Sequence, residues 1–407
     1  MTHRLAWAPL VFILACAQAG PRPSAAPAPT AQPDWAKLFE RELEPLPRVA
    51  VVSSNGKTRA EVEAKGVPAV KAEGQADSIE IPLGTGEPIR CVLQHDRMDG
   101  ASSIWRMWNA VKTQFETRPI RPIEVELAGE NPVLFSEHAY FVQKPDGKKG
   151  GHIKVAAVVN PRHSLLCNHD EPGYSVTFRR VVRELAASLA TSEGSRQRTD
   201  ARFSEIELVK VGDHAVGFSE LLLWERKDGG GNVIEGYVSL VLPREMDLQG
   251  SDVVRQVLTD PAGRVEEENS VTVENGEMTS QVHLTRAEGG KTYRFEGTKS
   301  TKPISGTFST SDGLASEVMQ ATLIRGKLLG AKAAKVEVDE YLVDANPTGA
   351  THTVYRLQGS TPPIVSAESG TVRYTFAPDE NGWVRRAEVP MGSQAMVFER
   401  AWSHGAP

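Results

Sequence analysis

Residues 372–400, VRYTFAPDENGWVRRAEVPMGSQAMVFER, carry two signals that together set the fold of the second half of the chain. Tyr374 and Phe376 alternate with polar neighbours, and Trp383, Ala387 and Val389 share one face of a following run, as in half-buried strands. Between the two runs stands Asn381-Gly382, a dipeptide suited to tight hairpin turns. The same signals recur upstream. Asn275-Gly276 predicts a second hairpin, and Asp228-Gly229-Gly230-Gly231-Asn232, Asp260-Pro261-Ala262-Gly263 and Glu288-Gly289-Gly290 predict three more turns. Val336 and Val338 alternate, and one helix is expected over Ser311–Ile324. Residues 201–407 therefore read as a long, curved antiparallel sheet, half-barrel-like, with one helix against its concave side.

Residues 34–200 have a different texture. Strand-like runs fall at Arg48–Val52, Ser78–Leu83, Ile89–Leu93, Ile123–Leu127, Val133–Val142 and Ile153–Val159. Two stretches instead follow the helical period. Ile104, Met107, Trp108, Val111 and Phe115 form one apolar stripe, with Ser102 or Ser103 as the expected cap. Phe178, Val181, Val182, Leu185 and Leu189 form the other, opened by Ser175. This half reads as an α/β sandwich: an antiparallel sheet covered by two amphipathic helices. The whole chain is then of the α+β class.

With 46 Lys and Arg against 52 Asp and Glu, the chain is mildly acidic and its charges are interspersed, so nucleic acid is not an expected partner. The one basic cluster, Lys144 to Lys154, contains Pro-Asp-Gly and Gly-Gly and reads as a solvated hairpin tip. There is no H-E-x-x-H, G-x-S-x-G or S-x-x-K, and no P-loop or dinucleotide fingerprint, so the reading names no catalytic residue and no cofactor.

Cys91 and Cys167 read first as a disulfide, which closes a loop of about 75 residues and in the chain-entropy model stabilises by up to about 4.5 kcal/mol. Placed near the start of each helix, it would clamp both helices onto the sheet. Two buried free thiols are the bland alternative. A tetrahedral zinc site is the chemical one, since His95 lies beyond Cys91 and His163 and His169 flank Cys167. The spacings C-x3-H and H-x3-C-x-H do not match compact zinc-finger patterns, and Asp170-Glu171-Pro172-Gly173 reads as an ordinary turn.

The N-terminal residues speak to location. His3 and Arg4 precede an apolar stretch from Leu5 to Leu14, the length of a signal-peptide core and too short to span a bilayer. Ile13-Leu14-Ala15-Cys16 resembles a lipobox, with Ile in place of the usual Leu at position −3. That resemblance implies cleavage after residue 15, a diacylglycerol on Cys16, and membership among bacterial envelope lipoproteins. Ala17-Gln18-Ala19 offers a second site for the general signal peptidase, which would yield a secreted protein; the small-residue site running directly into Cys is the more demanding pattern. Residues 16–33 are Pro- and Ala-rich and would extend roughly 50 Å at about 3.1 Å per residue, a tether. Ala17 rather than Asp after Cys16 points to the outer membrane.

Two resemblances add to this. The Cys-bearing strand, helix, central hairpin and closing run Gly173-Tyr174-Ser175-Val176-Thr177-Phe178 loosely resemble small PsbP-like modules, which mostly bind or assemble. The closing hairpins over Tyr374–Arg400 are similar to those of the LolA/LolB carrier fold, whose concave face takes acyl chains. On that resemblance Leu222, Trp224, Tyr237, Leu240 and Leu242 would line such a face. The alternative is that they fill an ordinary closed core. The expectation is a membrane-anchored lipoprotein of the cell envelope with a non-catalytic binding or assembly role, its partner an envelope protein or apolar ligand. The rivals are a lipid or lipoprotein carrier, and a metal-dependent hydrolase at the Cys/His/Asp cluster.

Overall fold

The computed structural model describes residues 35–407 apart from 96–98, 146, 192–196, 245–246 and 393; Cys16 and the tether lie outside the described residues. The first half runs α1 (Trp35–Phe39), β1 (Arg48–Val52), β2 (Thr58–Glu63), β3 (Ala69–Glu73), β4 (Ala76–Ile81), β5 (Ile89–His95), α2 (Ala101–Gln114), β6 (Glu116–Ala128), β7 (Asn131–Lys144), β8 (Gly147–Asn160), β9 (His163–Asp170), α3 (Ser175–Ala187) and β10 (Ala190–Thr191). Seven strands form one antiparallel sheet in the order β3-β4-β5-β9-β8-β7-β6, and β1-β2-β10 form a small sheet beside it. Phe178, Val181, Val182 and Leu185 of α3 are buried on one face of the larger sheet, against Leu93, Phe135, Val158 and Leu165. That is the stripe the helical spacing predicts.

Helix α3 begins at Ser175, after Tyr174 in the left-handed region at φ 62°. Ser175 does not cap it. The carboxylate of Glu42 does, accepting from Val176 N (2.9 Å) and Thr177 N (2.7 Å), where unpaired N–H groups favour negative charge.

Cys91 and Cys167 are bonded to each other. They sit directly opposite one another on the adjacent strands β5 and β9, with Cα atoms 4.0 Å apart. The expected clamp between helices is thus a rivet between neighbouring strands, because both cysteines fall at matched positions of one ladder.

The second half adds β11 (Phe203–Val211), β12 (His214–Glu225), β13 (Asn232–Arg244), β14 (Asp247–Thr259), β15 (Val265–Glu274), β16 (Glu277–Arg286), β17 (Thr292–Lys299), β18 (Lys302–Ser309), α4 (Glu317–Leu323), β19 (Val336–Glu340), β20 (Thr351–Ser360), β21 (Pro363–Ser369), β22 (Val372–Pro378), β23 (Val384–Met391) and β24 (Gln394–Gly405). All 14 strands join one antiparallel sheet, β18 through β11 and then β24 back to β19. Of the described residues 59 % lie in strands and 13 % in helices, so the fold is β-rich rather than clearly α+β.

The free edges, β18 and β19, are drawn toward each other by what lies between them in sequence. Leu314 bridges Asp339, and Val265 N donates to Leu314 O at 2.9 Å. Phe308 stacks on Tyr341 with ring centroids 5.8 Å apart. These contacts occupy residues where a helix was expected from Ser311. Gly313 at φ 86° turns the chain, 314–315 run extended, and α4 starts at Glu317 and continues as a wider turn over Ile324–Gly330. Ala321, Ile324 and Leu328 plug the barrel-like interior.

Asn275 and Gly276 both take positive φ and close a two-residue hairpin between β15 and β16. The loop at Asn381-Gly382 is longer. Gly382, at φ 84°, lets α4 approach so closely that a Cβ there would stand 2.3 Å from Ala321 O.

Helix α2 joins the halves. Its Ile104 and Val111 pack in one core with Leu134, Ile153 and Val155 of the first sheet and Ile206, Phe218, Tyr237 and Val241 of the second. Position 200 therefore divides topology, not packing. Neither Ser102 nor Ser103 caps α2. Asp252, reaching across from β14, accepts from Ser102 N (2.7 Å), Ala101 N (3.2 Å) and Tyr237 Oη (2.6 Å). Asp252→Ala is expected to cost roughly 2–3 kcal/mol, a cap plus two orphaned buried donors, and to melt with one lowered transition in urea. Unchanged stability would mean that α2 is held by its apolar stripe alone.

Candidate functional site

The strands of the second half have two unlike faces. Ile206 and Leu208 of β11 face the first half, whereas Phe203, Glu205, Glu207 and Val209 face the interior of the curved sheet. Register carries the inner face outward from Glu207: to Ser219, Val238 and Val253 on one side, and to Arg400 on the other. One pair along, Val209 faces Gly217 and Leu240, and Phe398 on β24. Leu240 Cδ2 lies so close that a Cβ on Gly217 would meet it at 2.6 Å.

At the α4 end this interior is filled. Phe203, Ile234, Val257, Leu284 and Phe295 are buried there, together with Trp383. At the other end it is not. Val238, Leu240, Leu242, Val253, Val389, Met396 and Phe398 are only half-buried and belong to none of the buried cores. An apolar strip thus crosses several neighbouring strands of the inner face, and none of the described residues forms a layer over it.

A band of charge separates the filled end from the open one. Arg255 donates to both oxygens of the buried Glu268 (2.8 and 3.1 Å) and pairs with Glu317 of α4. Glu340 accepts from Tyr355 Oη (2.5 Å) and Thr353 Oγ1 (3.0 Å). Arg400 is fully engaged, with Nε to Glu205, Nη1 to Asp379 and Nη2 to Val384 O, each at 2.8 Å. The Glu207 side chain, next along the strand, makes no hydrogen bond or ion pair among the described residues.

Burial pushes the Glu205 carboxyl up to about 7 against the pull of Arg400, and burial together with Glu205 pushes Glu207 up to about 8. An acid whose pKa is raised on folding adds stability that is complete below the ordinary carboxyl range and is lost as pH rises through the folded value. These two groups are therefore expected to lower the melting temperature as pH rises from about 5 to 8, and Glu207→Gln to flatten that fall across the same range. Parallel curves for the two proteins would remove Glu207 as its source.

The residues expected to line one concave face divide between two. Leu240 and Leu242 are on the inner face. Leu222, Trp224 and Tyr237 are on the outer one, by the unbroken pairing of Glu220 with Tyr237, Leu222 with Glu235 and Trp224 with Val233. Trp224 and Leu222 border a cleft of about 170 Å³ beside Pro161 and Arg162, and Trp224 Nε1 donates to Glu235 at 3.0 Å. Tyr237 is buried and serves the α2 cap. Alternation alone does not say which parity faces inward, because both parities are apolar along these strands.

The histidines expected near zinc lie on the α3 side of the first sheet. His95 and His163 are paired across β5 and β9, ring centroids 5.4 Å apart. His95 Nε2 is 3.5 Å from Asp77, and His163 Nε2 is 3.4 Å from Thr58 Oγ1. His169 is fully buried beyond the disulfide, 3.3 Å from Glu87 O, and burial pushes its pKa down to about 3. Both sulfurs are spent in the disulfide, and no group of three or more His, Cys, Asp or Glu side chains among the described residues is arranged to hold a metal.

A polar row beside His169 had no sequence signal. Glu137 opposes Lys154, which opposes His169, across β7, β8 and β9. Glu137 receives His152 Nε2 (2.9 Å) and Ser175 Oγ; burial works to raise its pKa, and these hydrogen bonds outweigh it, holding the carboxyl at about 2. Lys154, expected at a solvated tip, is 2 % exposed and donates to Gly173 O at 2.7 Å, and burial lowers it to about 8. The Ser175 hydroxyl meets the carboxylate rather than a histidine, so the row is no activated nucleophile. It stitches the start of α3 to the sheet.

No protein-family model matches the chain, and no curated protein matches it. Among solved structures it is similar to a β-barrel-like protein of the domain-of-unknown-function family DUF1849 from Brucella abortus, with 12 % identity over 50 % of this chain and 96 % of that one, at a TM-score of 0.39. A DUF1089 family protein from Pseudomonas aeruginosa shares 14 % identity over 42 % of this chain and 88 % of that one, at a TM-score of 0.27.

Proposed function

We propose that this protein is a non-catalytic binding protein of the bacterial envelope, lipid-anchored through Cys16, with the inner face of its large sheet as the docking surface. The observation that carries this reading is the half-buried strip over Val238, Leu240, Leu242, Met396 and Phe398, which no part of the described chain covers. The tether read over residues 16–33 gives such a surface reach from a membrane. A carrier of acyl chains would use the same surface.

Nile red, a neutral apolar dye, tests the docking surface. The protein is expected to give a saturable, blue-shifted rise in emission that Leu240→Asp abolishes while Val254→Asp, at an exposed position of the outer face, leaves it intact. Equal binding by both variants, or none by the unaltered protein, would overturn the reading.

A further inference from the structure

We propose that the inner face takes an amphiphile with an aliphatic tail and an ammonium head, and that Glu207 receives the head. This rests on the docking surface proposed above and names its ligand class. Glu207 stands within the apolar strip, between Ser219 on β12 and Arg400 on β24. The guanidinium nearest to it, that of Arg400, is shared among Glu205, Asp379 and Val384 O; it attracts Glu207 through space, but among the described residues it makes no hydrogen bond or ion pair with the Glu207 carboxyl. The band of charge beyond it is acidic in balance, with Glu205, Glu268, Glu317 and Glu340 against Arg255 and Arg400. A carboxyl held among apolar side chains favours a ligand that brings positive charge and N–H donors, and disfavours one that brings a second carboxylate. The tail would lie along Leu240, Leu242 and Phe398, whose exposed surface is aliphatic and aromatic.

Three ligands of one tail length separate head from tail: dodecylammonium, dodecanol and laurate, each displacing Nile red below its micelle concentration at about pH 9, where the Glu207 carboxyl is ionised. Dodecylammonium is expected to displace the dye at about tenfold lower concentration than dodecanol, the ratio for one hydrogen bond to a charged group, with laurate weaker than both. In Glu207→Gln the ammonium should fall to the level of dodecanol while dodecanol itself is unchanged, which also shows that the fold is intact. If all three displace the dye equally, or if Glu207→Gln leaves the order unaltered, the assignment of the head is wrong and the docking surface stands. If none displaces it, the docking surface itself fails. Tightest binding by laurate would overturn the assignment outright.

Discussion

Arg198→Ala is expected to destabilise the protein by roughly 3–5 kcal/mol, the range for removing one partner of a buried ion pair. Arg198 has no exposed surface, and it closes a network across the seam between the halves. Its Nε and Nη2 meet the two oxygens of Glu220 on β12 at 2.5 and 3.1 Å, and Nη1 donates to Asn131 Oδ1 on β7 at 2.8 Å. Nη2 also reaches Val159 O on β8. Without the guanidinium, Glu220 is left a buried charge with no counterion, and Asn131 and Val159 lose a donor at once. The double variant Arg198→Met/Glu220→Leu removes both charges and is expected to regain most of the loss. Urea melts of the three proteins decide it. A double variant as unstable as the single one would show that the network is needed for its shape rather than for its charge balance.

Loss of the Cys91–Cys167 bond is expected to cost about 2–4 kcal/mol, below the chain-entropy ceiling, because the ladder between β5 and β9 still holds the two strands together. The bond is buried among Ile79, Ile89 and Leu165, so a reductant should reach it slowly until the first sheet opens. Intact-mass spectrometry of protein taken from membranes, alkylated with and without prior unfolding and reduction, reads the pairing directly. Cys91 and Cys167 should gain label only after both treatments, and the same spectrum should show a diacylglycerol adduct on Cys16. Label taken up without reduction would return the His95, His163 and His169 neighbourhood to consideration as a metal site. A mass beginning at Gly20 would make the protein a secreted one.

Much of the fold was legible. The stripes of α2 and α3 and the runs later seen as β1, β4, β5, β7 and β8 follow from periodicity, because each buries one face on a core close in sequence. What periodicity could not convey is what lies on the other side. The run Phe203-Ser204-Glu205-Ile206-Glu207-Leu208-Val209 mixes apolar and charged residues at both parities. One face meets the first half and the other meets the barrel interior, so neither looks polar. Glu207, Arg400 and Arg255 were invisible for this reason: inside, they resemble the charges of a solvated face. The caps were missed for a related one. Asp252 and Glu42 act on helices about 150 and 135 residues away, a distance at which sequence carries no capping signal. Ser311 suggested a helix start, and the edge-joining contacts of Leu314 and Ala315 outweighed the local preference.

The pairing of β11 with β24 sets the order in which this molecule can become whole. The strand that opens the large sheet waits for the strand that ends it, and Glu205 meets Arg400 across 195 positions of chain. A polypeptide appearing from its N-terminus can build hairpin after hairpin from β11 to β18, yet β11 keeps an unpaired edge until the final dozen residues arrive. Such long-range pairing is slow, since the entropy of closing the loop is lost before any contact repays it. During that interval the exposed edge is a site for mispairing with another chain. A chain cut short before residue 394 should therefore aggregate rather than fold as a slightly smaller barrel, and its fate would be decided while it is being made.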